Sequence, residues 1–400
     1  MNKPLSVHIV VFLAIVTFLT SSCGTESRKG EKIPAVPEIT AKARRLAAID
    51  FLTNVINNTA NSSDAYYKRS LLYMEDERFN EALSDINDAI NVKPNVGSYF
   101  QAKAMILRSF SHPREALAAA SRAEALNIES PELFTLLGDL YQQIGQYAKA
   151  RLYLRKALQV SPNNGETYFY QGEIAAKQGD TTNALQLYQI TLTLKPSFIP
   201  AYLKLMDVHT ALKEYDLALF YGNEALKYKP KNAEIYFRRG ITYHRVWRVD
   251  SALISFQKAV QLDSSMAKAS FYAGVIYFKS HAFKLALPYF EHTFKRNPKY
   301  PDARFYIAQC LEYTGRFEES EKVYTQLVAE NGSDYRSLNG LYRVKRKLLY
   351  SSGTYIPDMS LEYDSTAVLG KESPKRNVDT TIKALVPKTK ISAKPDSTKK

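Results

Sequence analysis

The side chains that could bind a metal or act as nucleophiles are few and far apart in this sequence of 400 residues. There are two cysteines, Cys23 and Cys310, and six histidines, at positions 8, 112, 209, 244, 281 and 292. No two histidines have the spacing of a zinc-protease pair, and none is spaced with a cysteine for a structural zinc site. The sequence also lacks a phosphate-binding glycine-rich loop and a nucleophile elbow. We therefore predict no enzyme activity, no metal and no cofactor.

Cys23 lies where a secretion signal would end. Lys3 precedes an apolar stretch, Leu5 to Leu19, which is too short for a comfortable membrane span and is followed by Thr20-Ser21-Ser22-Cys23. Small residues directly before this cysteine resemble the lipobox of bacterial lipoproteins. The resemblance implies that residues 1–22 are a signal peptide and that Cys23 is the lipidation site. The alternatives are an ordinary cleaved signal that leaves a free thiol, or an uncleaved anchor.

The residues after Cys23 indicate a location. Gly24 stands where an aspartate would retain an enterobacterial lipoprotein in the inner membrane, and no acidic run follows it. The resemblance therefore implies a lipid anchor in the outer membrane, with the protein facing the periplasm. Residues 23–37, rich in charge and proline, are expected to form a flexible tether. A formal net charge of +14 would also suit nucleic acid, but the secretion signal argues against that partner.

An alanine ladder runs through the middle of the chain and indicates the elements that must carry any binding site. Seven alanines stand 34 residues apart, and a serine takes the eighth place: Ala82, Ala116, Ala150, Ala184, Ala218, Ala252, Ala286 and Ser320. A fixed period of this length is typical of a supersecondary unit that buries its apolar face against the next copy.

Other positions of the repeat keep the same step when Ser63 is counted as its first residue. The fourth position holds six consecutive aromatic residues, from Tyr66 to Tyr236, and the eighth is mostly small. Gly145, Gly179 and Gly315 fall at the fifteenth position, where a turn is expected, and prolines recur at the thirty-second. This pattern closely resembles the tetratricopeptide repeat family, over about two-thirds of the chain. The bacterial lipoprotein type within that family would account for both the repeats and Cys23.

The resemblance implies an all-α fold, a right-handed superhelical α-solenoid of about eight to nine helical hairpins. We expect eight repeats over residues 63–334, preceded by a degenerate N-terminal helix or repeat over 38–62. A capping helix is predicted over 335–350. Residues 351–400 are expected to be a disordered basic tail, because nine Lys or Arg stand against three acidic residues in the last thirty.

Four interior residues favour a structural interpretation. Met206 stands at a position that usually holds a small residue, and Gly222 at one that usually holds a large residue. Looser packing between the two helices of this hairpin is therefore expected. Cys310 lies inside a predicted helix and reads as a small buried hydrophobe. His209 occupies a column of aromatic residues, which favours a role in the core over one as a ligand.

A partner would bind on the face of the first helix of each hairpin, helix A, which lines the concave side of such a solenoid. Aromatic residues recur there at positions five and six, together with one arginine. The candidate binding residues are Tyr67, Phe169, Tyr170, Phe237, Arg238, Phe271, Tyr272, Phe305 and Tyr306. Such rings suit a peptide ligand. The alternative is that they pack between neighbouring repeats. The Lys and Asn that clamp a C-terminal carboxylate in chaperone-binding family members are absent from these positions.

Two functions remain open at this level. The first is a non-catalytic scaffold that binds protein partners through the aromatic groove, in envelope assembly, secretion or cell-wall machinery. The second is a lipoprotein that binds an anionic envelope polymer or a glycan through the basic tail and the aromatics.

Overall fold

The computed structural model describes residues 40–59 and 61–351. The predicted signal peptide, the tether, Cys23 and almost all of the basic tail lie outside the described residues. The described chain contains eighteen helices and no strand. The prediction of an all-α fold made of helical hairpins is therefore confirmed.

The chain divides into two compact units, one that includes the described residues up to Pro94 and one that begins at Asn95. The first unit contains α1 (Ala41–Asn58), α2 (Ser63–Glu75) and α3 (Phe79–Val92). Helix α1 begins after Thr40, whose side chain accepts a hydrogen bond from the backbone nitrogen of Ala43. Helices α2 and α3 form the first 34-residue hairpin, and α1 packs against α2.

The second unit contains seven hairpins and a closing helix. The A helices are α4 (Gly97–Ser109), α6 (Pro131–Gln143), α8 (Gly165–Lys177), α10 (Ile199–Ala211), α12 (Ala233–Arg245), α14 (Ala267–Lys279) and α16 (Ala303–Tyr313). The second helices, called B helices here, are α5 (Pro113–Ala125), α7 (Tyr147–Val160), α9 (Thr181–Leu194), α11 (Tyr215–Tyr228), α13 (Val249–Leu262), α15 (Phe283–Arg296) and α17 (Phe317–Glu330). Helix α18 (Tyr335–Ser351) closes this unit and packs against α16 and α17.

The alanine ladder lies at the centre of the hairpins. All seven alanines and Ser320 are fully buried on the B helices. Small residues at the eighth position let the A helix approach its own B helix. A Cβ atom on Gly240 would lie 2.5 Å from Cε1 of Phe256, and one on Gly138 would lie 2.5 Å from Cδ2 of Leu154. The 34-residue step therefore records the close contact of two helices, repeated along the chain.

The turn between helices A and B has the same backbone form in every hairpin. Its fifteenth position has φ between 57° and 83°, whichever residue stands there: Glu77, Ser111, Gly145, Gly179, Lys213, Trp247, His281 or Gly315. Only three of these are glycine, so helix packing imposes the left-handed conformation on residues for which it is costly. Trp247, the one tryptophan of the sequence, is 81% exposed at such a turn.

The looser packing expected at Met206 and Gly222 is confirmed for the helices, because α10 and α11 contact each other less extensively than the paired helices of the hairpins on either side do. Met206 is almost fully buried, and a Cβ atom on Gly222 would lie 2.8 Å from the Met206 terminal methyl carbon. The long side chain on the A helix fills the space that the small residue leaves on the B helix. The two unusual residues compensate each other.

Candidate functional site

The predicted binding residues lie on A helices. Tyr67 is on α2 in the first unit, where it is half-buried. The others belong to the second unit: Phe169 and Tyr170 on α8, Phe237 and Arg238 on α12, Phe271 and Tyr272 on α14, and Phe305 and Tyr306 on α16. We call the surface formed by positions two, five, six, nine and twelve of the A helices of the second unit the A-helix face.

Phe169 is the most deeply packed of these aromatics, with only 6% of its surface exposed. Its ring centroid lies 5.1 Å from that of Phe198, 5.3 Å from that of Tyr170 and 5.6 Å from that of Tyr188. Aromatic pairs at these distances stabilise a core. Phe169 therefore offers a partner little surface, and its ring joins α8 to α9 and to the segment before α10.

The later aromatics form a chain of ring contacts through α12 to α16. Tyr272 stacks on Phe256 with their ring centroids 5.2 Å apart, and Tyr306 stacks on Phe290 with their ring centroids 4.8 Å apart. Both partners belong to the B helix of the preceding hairpin. The position-six tyrosines thus hold one repeat against the previous one, while part of each ring stays at the surface.

The position-five phenylalanines pack instead against the B helix of their own hairpin. The ring centroid of Phe271 lies 5.6 Å from that of Phe290 and 4.8 Å from that of Tyr300. The ring centroids of Phe237 and Phe256 are 5.9 Å apart. Phe305 contacts Tyr324 at 6.2 Å. Phe237, Phe271 and Phe305 are all half-buried. These rings stabilise the repeats and still expose a strip of apolar surface, so their role in binding stays a prediction.

A row of polar pairs joins consecutive A helices in the earlier part of the second unit. Nζ of Lys204 donates to Oε2 of Glu173 at 2.8 Å, across a sequence separation of 31 residues. Arg238 pairs with Asp207 at the same separation and donates to Glu234 at 3.0 Å. In both pairs position nine of one repeat meets position six of the next. Arg238 is therefore already engaged with two carboxylates.

The first member of this row, Asp139 at position nine with Tyr170 at position six of the next repeat, is more buried and is joined by Arg108 from position twelve of the previous repeat. Nη1 of Arg108 donates to Oδ2 of Asp139 at 3.3 Å and to the Tyr170 hydroxyl at 3.1 Å. Burial raises the pKa of Asp139, and hydrogen bonds from Gln143 and Arg108 oppose that rise. Burial also raises the pKa of Tyr170, with the Asp139 charge adding to it. The network links α4, α6 and α8.

The row changes character at α12. In the later repeats, Ile241 at position nine corresponds to Tyr272 at position six of the next repeat. Val275 corresponds to Tyr306 in the same way. The row formed by positions nine and six is thus polar from α6 to α12 and apolar and aromatic from α12 to α16. The acids of the earlier A helices and the cations of the next ones thus neutralise each other, which the composition of a single repeat does not reveal. The separation of 31 residues is the signal that could have shown it.

His209 and Cys310 of the second unit are buried and serve packing. Nδ1 of His209 lies 2.7 Å from Oε2 of Glu214, and its ring stacks on Tyr221 at 5.3 Å. Cys310 is fully buried, and burial raises the pKa of its thiol to about 12. Within residues 40–59 and 61–351, no three His, Cys, Asp or Glu side chains are arranged to hold a metal ion.

Comparison with known proteins decides the family. Profiles described as "Tetratricopeptide repeat" match residues 63–96, 135–197 and 277–342. The matches fall on hairpins of both compact units. This chain is a tetratricopeptide repeat protein.

Several curated proteins are similar to this chain at low identity. YpiA of Bacillus subtilis, a TPR repeat-containing protein, is 23% identical over 308 residues, 76% of this chain and 71% of that protein. The BBSome complex member BBS4 of Bos taurus is 21% identical over 54% of this chain. The human protein O-mannosyl-transferase TMTC1 is 26% identical over 46% of it. The chain spans 48% of BBS4 and 20% of TMTC1.

A solved structure shows the same fold. The present chain superposes on a chain from the crystal structure of the APC/C hetero-tetramer Cut9-Hcn1 with a TM-score of 0.51 and 17% sequence identity. The alignment covers 77% of this chain and 60% of the other. At this identity the likeness concerns the fold. No helix in the described part of the chain is both long and apolar enough to cross a membrane.

Proposed function

We propose that this tetratricopeptide repeat protein is a non-catalytic scaffold that binds protein partners through the A-helix face. The observation that carries the proposal is the strip of half-buried aromatic surface from Phe237 to Tyr306. It runs along three consecutive A helices and lies beside a row of paired charges. Exposed aromatic strips bordered by charges are typical of peptide-binding surfaces.

The proposal extends to the setting of the scaffold. Cys23 would carry a lipid that anchors the protein in the outer membrane, and the repeats would face the periplasm as part of an envelope complex. The support is the sequence pattern before Cys23 and the residue after it. A diacylated N-terminus adds about 0.8 kcal/mol of membrane affinity per buried methylene, which makes such an anchor stable.

A non-catalytic role is supported by the repeat fold, which generally serves as a scaffold. One relative is named a transferase, but the chain spans only 20% of its length. A protein that turned over a sugar donor in the absence of any partner would contradict this part of the proposal.

A photo-crosslinking experiment tests the binding face. A benzophenone amino acid replaces Lys268 or Glu132, exposed residues at position two of A helices, and in a control it replaces Lys227 on the B helix α11. We expect the first two positions to capture the same few envelope proteins and the control to capture none of them. Equal capture at all three positions, or capture of polysaccharide in place of protein, would refute the scaffold proposal.

The anchor has a separate test. Cys23→Ser should abolish incorporation of labelled palmitate and move the protein from the membrane fraction to the soluble fraction. Retention in the outer membrane without label would contradict lipidation at this cysteine and leave the partner-binding test unaffected.

A further inference from the structure

A cleft with a volume of about 570 Å³ lies against α13, between α12 and α15. Tyr236 and Arg239 on α12, Ile254, Ser255 and Lys258 on α13, and Tyr289 on α15 are among the residues that line it. The lining contains two cations and no acidic side chain. This cleft is separate from the position-five and position-six residues of the A-helix face.

Arg239 is the unusual group in this cleft. Its guanidinium carbon lies 5.7 Å from the ring centroid of Tyr236 and 5.8 Å from that of Tyr243. The side chain is half-buried, and its Nε is buried without a hydrogen-bond partner in the part of the chain that the structure describes. Buried polar groups on charged side chains normally have a partner, because leaving one unpaired is costly.

The first hairpin contains the same arrangement with its partner in place. Arg69 stands five repeats before Arg239 and lies 5.9 Å from the ring centroid of Tyr66 and 5.6 Å from that of Tyr73. Both tyrosines occupy the repeat positions of Tyr236 and Tyr243. Here Nε and Nη2 of Arg69 each donate to the Asp85 carboxylate at 2.7 Å. Two tyrosines and an arginine thus form a cradle that takes one carboxylate in bidentate fashion.

The carboxylate is missing from the later copy. The residue five repeats after Asp85 is Ser255, whose hydroxyl donates to the backbone oxygen of Ser251 at 2.7 Å. A serine lacks the carboxylate that Arg69 meets, and Ser255 lines the cleft. The space that an aspartate would fill is therefore open to a group from outside.

We propose that this cleft binds a carboxylate supplied by an acidic segment of a partner protein. Arg239 would hold the carboxylate as Arg69 holds Asp85, and the Lys258 ammonium adds positive charge to the lining of the cleft. Nζ of Lys258 donates to Oε1 of Gln261 at 2.9 Å and has no carboxylate partner in the described chain. The exposed side chain of Ile254 and the half-buried ring of Tyr289 provide apolar surface for the backbone that carries the acid.

The test uses the full-length protein and a fluorescein-labelled peptide of alternating glutamate and glycine, with a glutamine-glycine peptide as the uncharged control. Fluorescence anisotropy measures affinity for the wild type and four variants. Arg239→Gln removes the receptor group, and Ser255→Asp supplies the internal carboxylate of the first hairpin. Ser255→Ala changes the same position without adding charge, and Arg155→Gln removes an exposed arginine of α7 that has no ion pair in the described chain.

We expect Arg239→Gln and Ser255→Asp each to weaken binding of the glutamate peptide by about tenfold or more, as loss of one charge-assisted bidentate contact should. Ser255→Ala and Arg155→Gln should bind as the wild type does. Circular dichroism checks that each variant is folded, and Ser255→Asp keeps the test valid if Arg239→Gln unfolds the hairpin. Equal weakening in Arg155→Gln would show general attraction to a basic chain and overturn the proposal. So would unchanged binding in Ser255→Asp, or inorganic phosphate competing better than acetate.

Discussion

The buried carboxylate of Glu312 fastens the closing helix α18 to the last hairpin, and its removal should loosen that end of the second unit. Glu312 is only 1% exposed at its side chain. Its two oxygens accept hydrogen bonds from Nε and Nη2 of Arg343 at 3.0 Å and from Nζ of Lys347 at 2.9 Å. The Tyr324 hydroxyl donates to Oε2 at 3.3 Å. One acidic group thus joins α16, α17 and α18.

The expected loss for Glu312→Gln follows from these contacts. A hydrogen bond to a charged group contributes about 1.5–3 kcal/mol, and breaking a fully buried ion pair costs about 3–5 kcal/mol. The side chains of Arg343 and Lys347 are 42% and 40% exposed, so water replaces part of what they lose. The glutamine keeps one acceptor oxygen but turns an NH₂ group toward a cation. We therefore expect a loss of about 2–3 kcal/mol in the stability of the α18 contact.

Amide hydrogen exchange, measured peptide by peptide, detects this change. A loss of that size should speed exchange in α18 by roughly 30- to 150-fold, because a factor of ten corresponds to about 1.4 kcal/mol. Exchange in α12 should stay unchanged, since a repeat contacts mainly its neighbours. Glu318→Gln, on the exposed side of α17, is the matched control. A change below about threefold in α18, or an equal change in α12, would refute the reasoning.

The same carboxylate sets a pH dependence. Burial alone would raise the pKa of Glu312, but hydrogen bonds from Arg343 and Lys347 outweigh it and lower the pKa. A lowered pKa in the folded state stabilises the fold above the ordinary glutamate value of about 4.3. That stabilisation is lost as the pH falls through the lower folded value. Exchange in α18 of the wild type and of Glu312→Gln should therefore converge as the pH falls below about 4.

Three further outcomes are expected. Gly240→Ala should lower the free energy of unfolding in urea by about 1–3 kcal/mol, because its Cβ would meet the Phe256 ring at 2.5 Å. In the control Gly332→Ala, the nearest neighbour of the Cβ is 3.8 Å away, so the free energy of unfolding should change by less than about 0.5 kcal/mol. Phe169→Ala should lower the unfolding free energy by about 3–5 kcal/mol; a loss under about 1 kcal/mol would mean that its ring does not belong to the core. The peptide that contains Cys310 should stay unmodified by iodoacetamide in the native protein at pH 8, since its thiol is buried with a pKa near 12. Rapid labelling, read by mass spectrometry, would contradict that burial.

The hairpin fold could be predicted from the sequence because its cause is local and repeated. Each buried alanine sits where two helices touch, so the 34-residue step reports a packing contact directly. The left-handed turns were harder to predict, since Lys213 and Trp247 adopt the same backbone as Gly145. Packing of the two helices decides that conformation, and residue type reveals it only where glycine happens to stand.

The candidate site could be predicted only in part. The position of Phe237 or Tyr272 on an A helix follows from the repeat number. How much of each ring is exposed depends on the B helix that packs against it, as with Phe256, which contacts both Phe237 of its own hairpin and Tyr272 of the next. The pairing of Glu173 with Lys204 likewise depends on the register of two helices from different repeats. The residues of a single repeat do not show which side chains of two helices meet. Comparing residues of consecutive repeats does show it.

The single tryptophan at the turn between α12 and α13 affects how this protein can be observed. An indole that is 81% exposed in the folded protein already meets water, so its emission should barely shift when the chain unfolds. Tryptophan fluorescence would then underreport denaturation of the helices that surround it. Because the indole is already exposed, the emission of Trp247 should change chiefly when another molecule covers that turn. Trp247 can therefore serve as a fluorescent probe of binding at the turn.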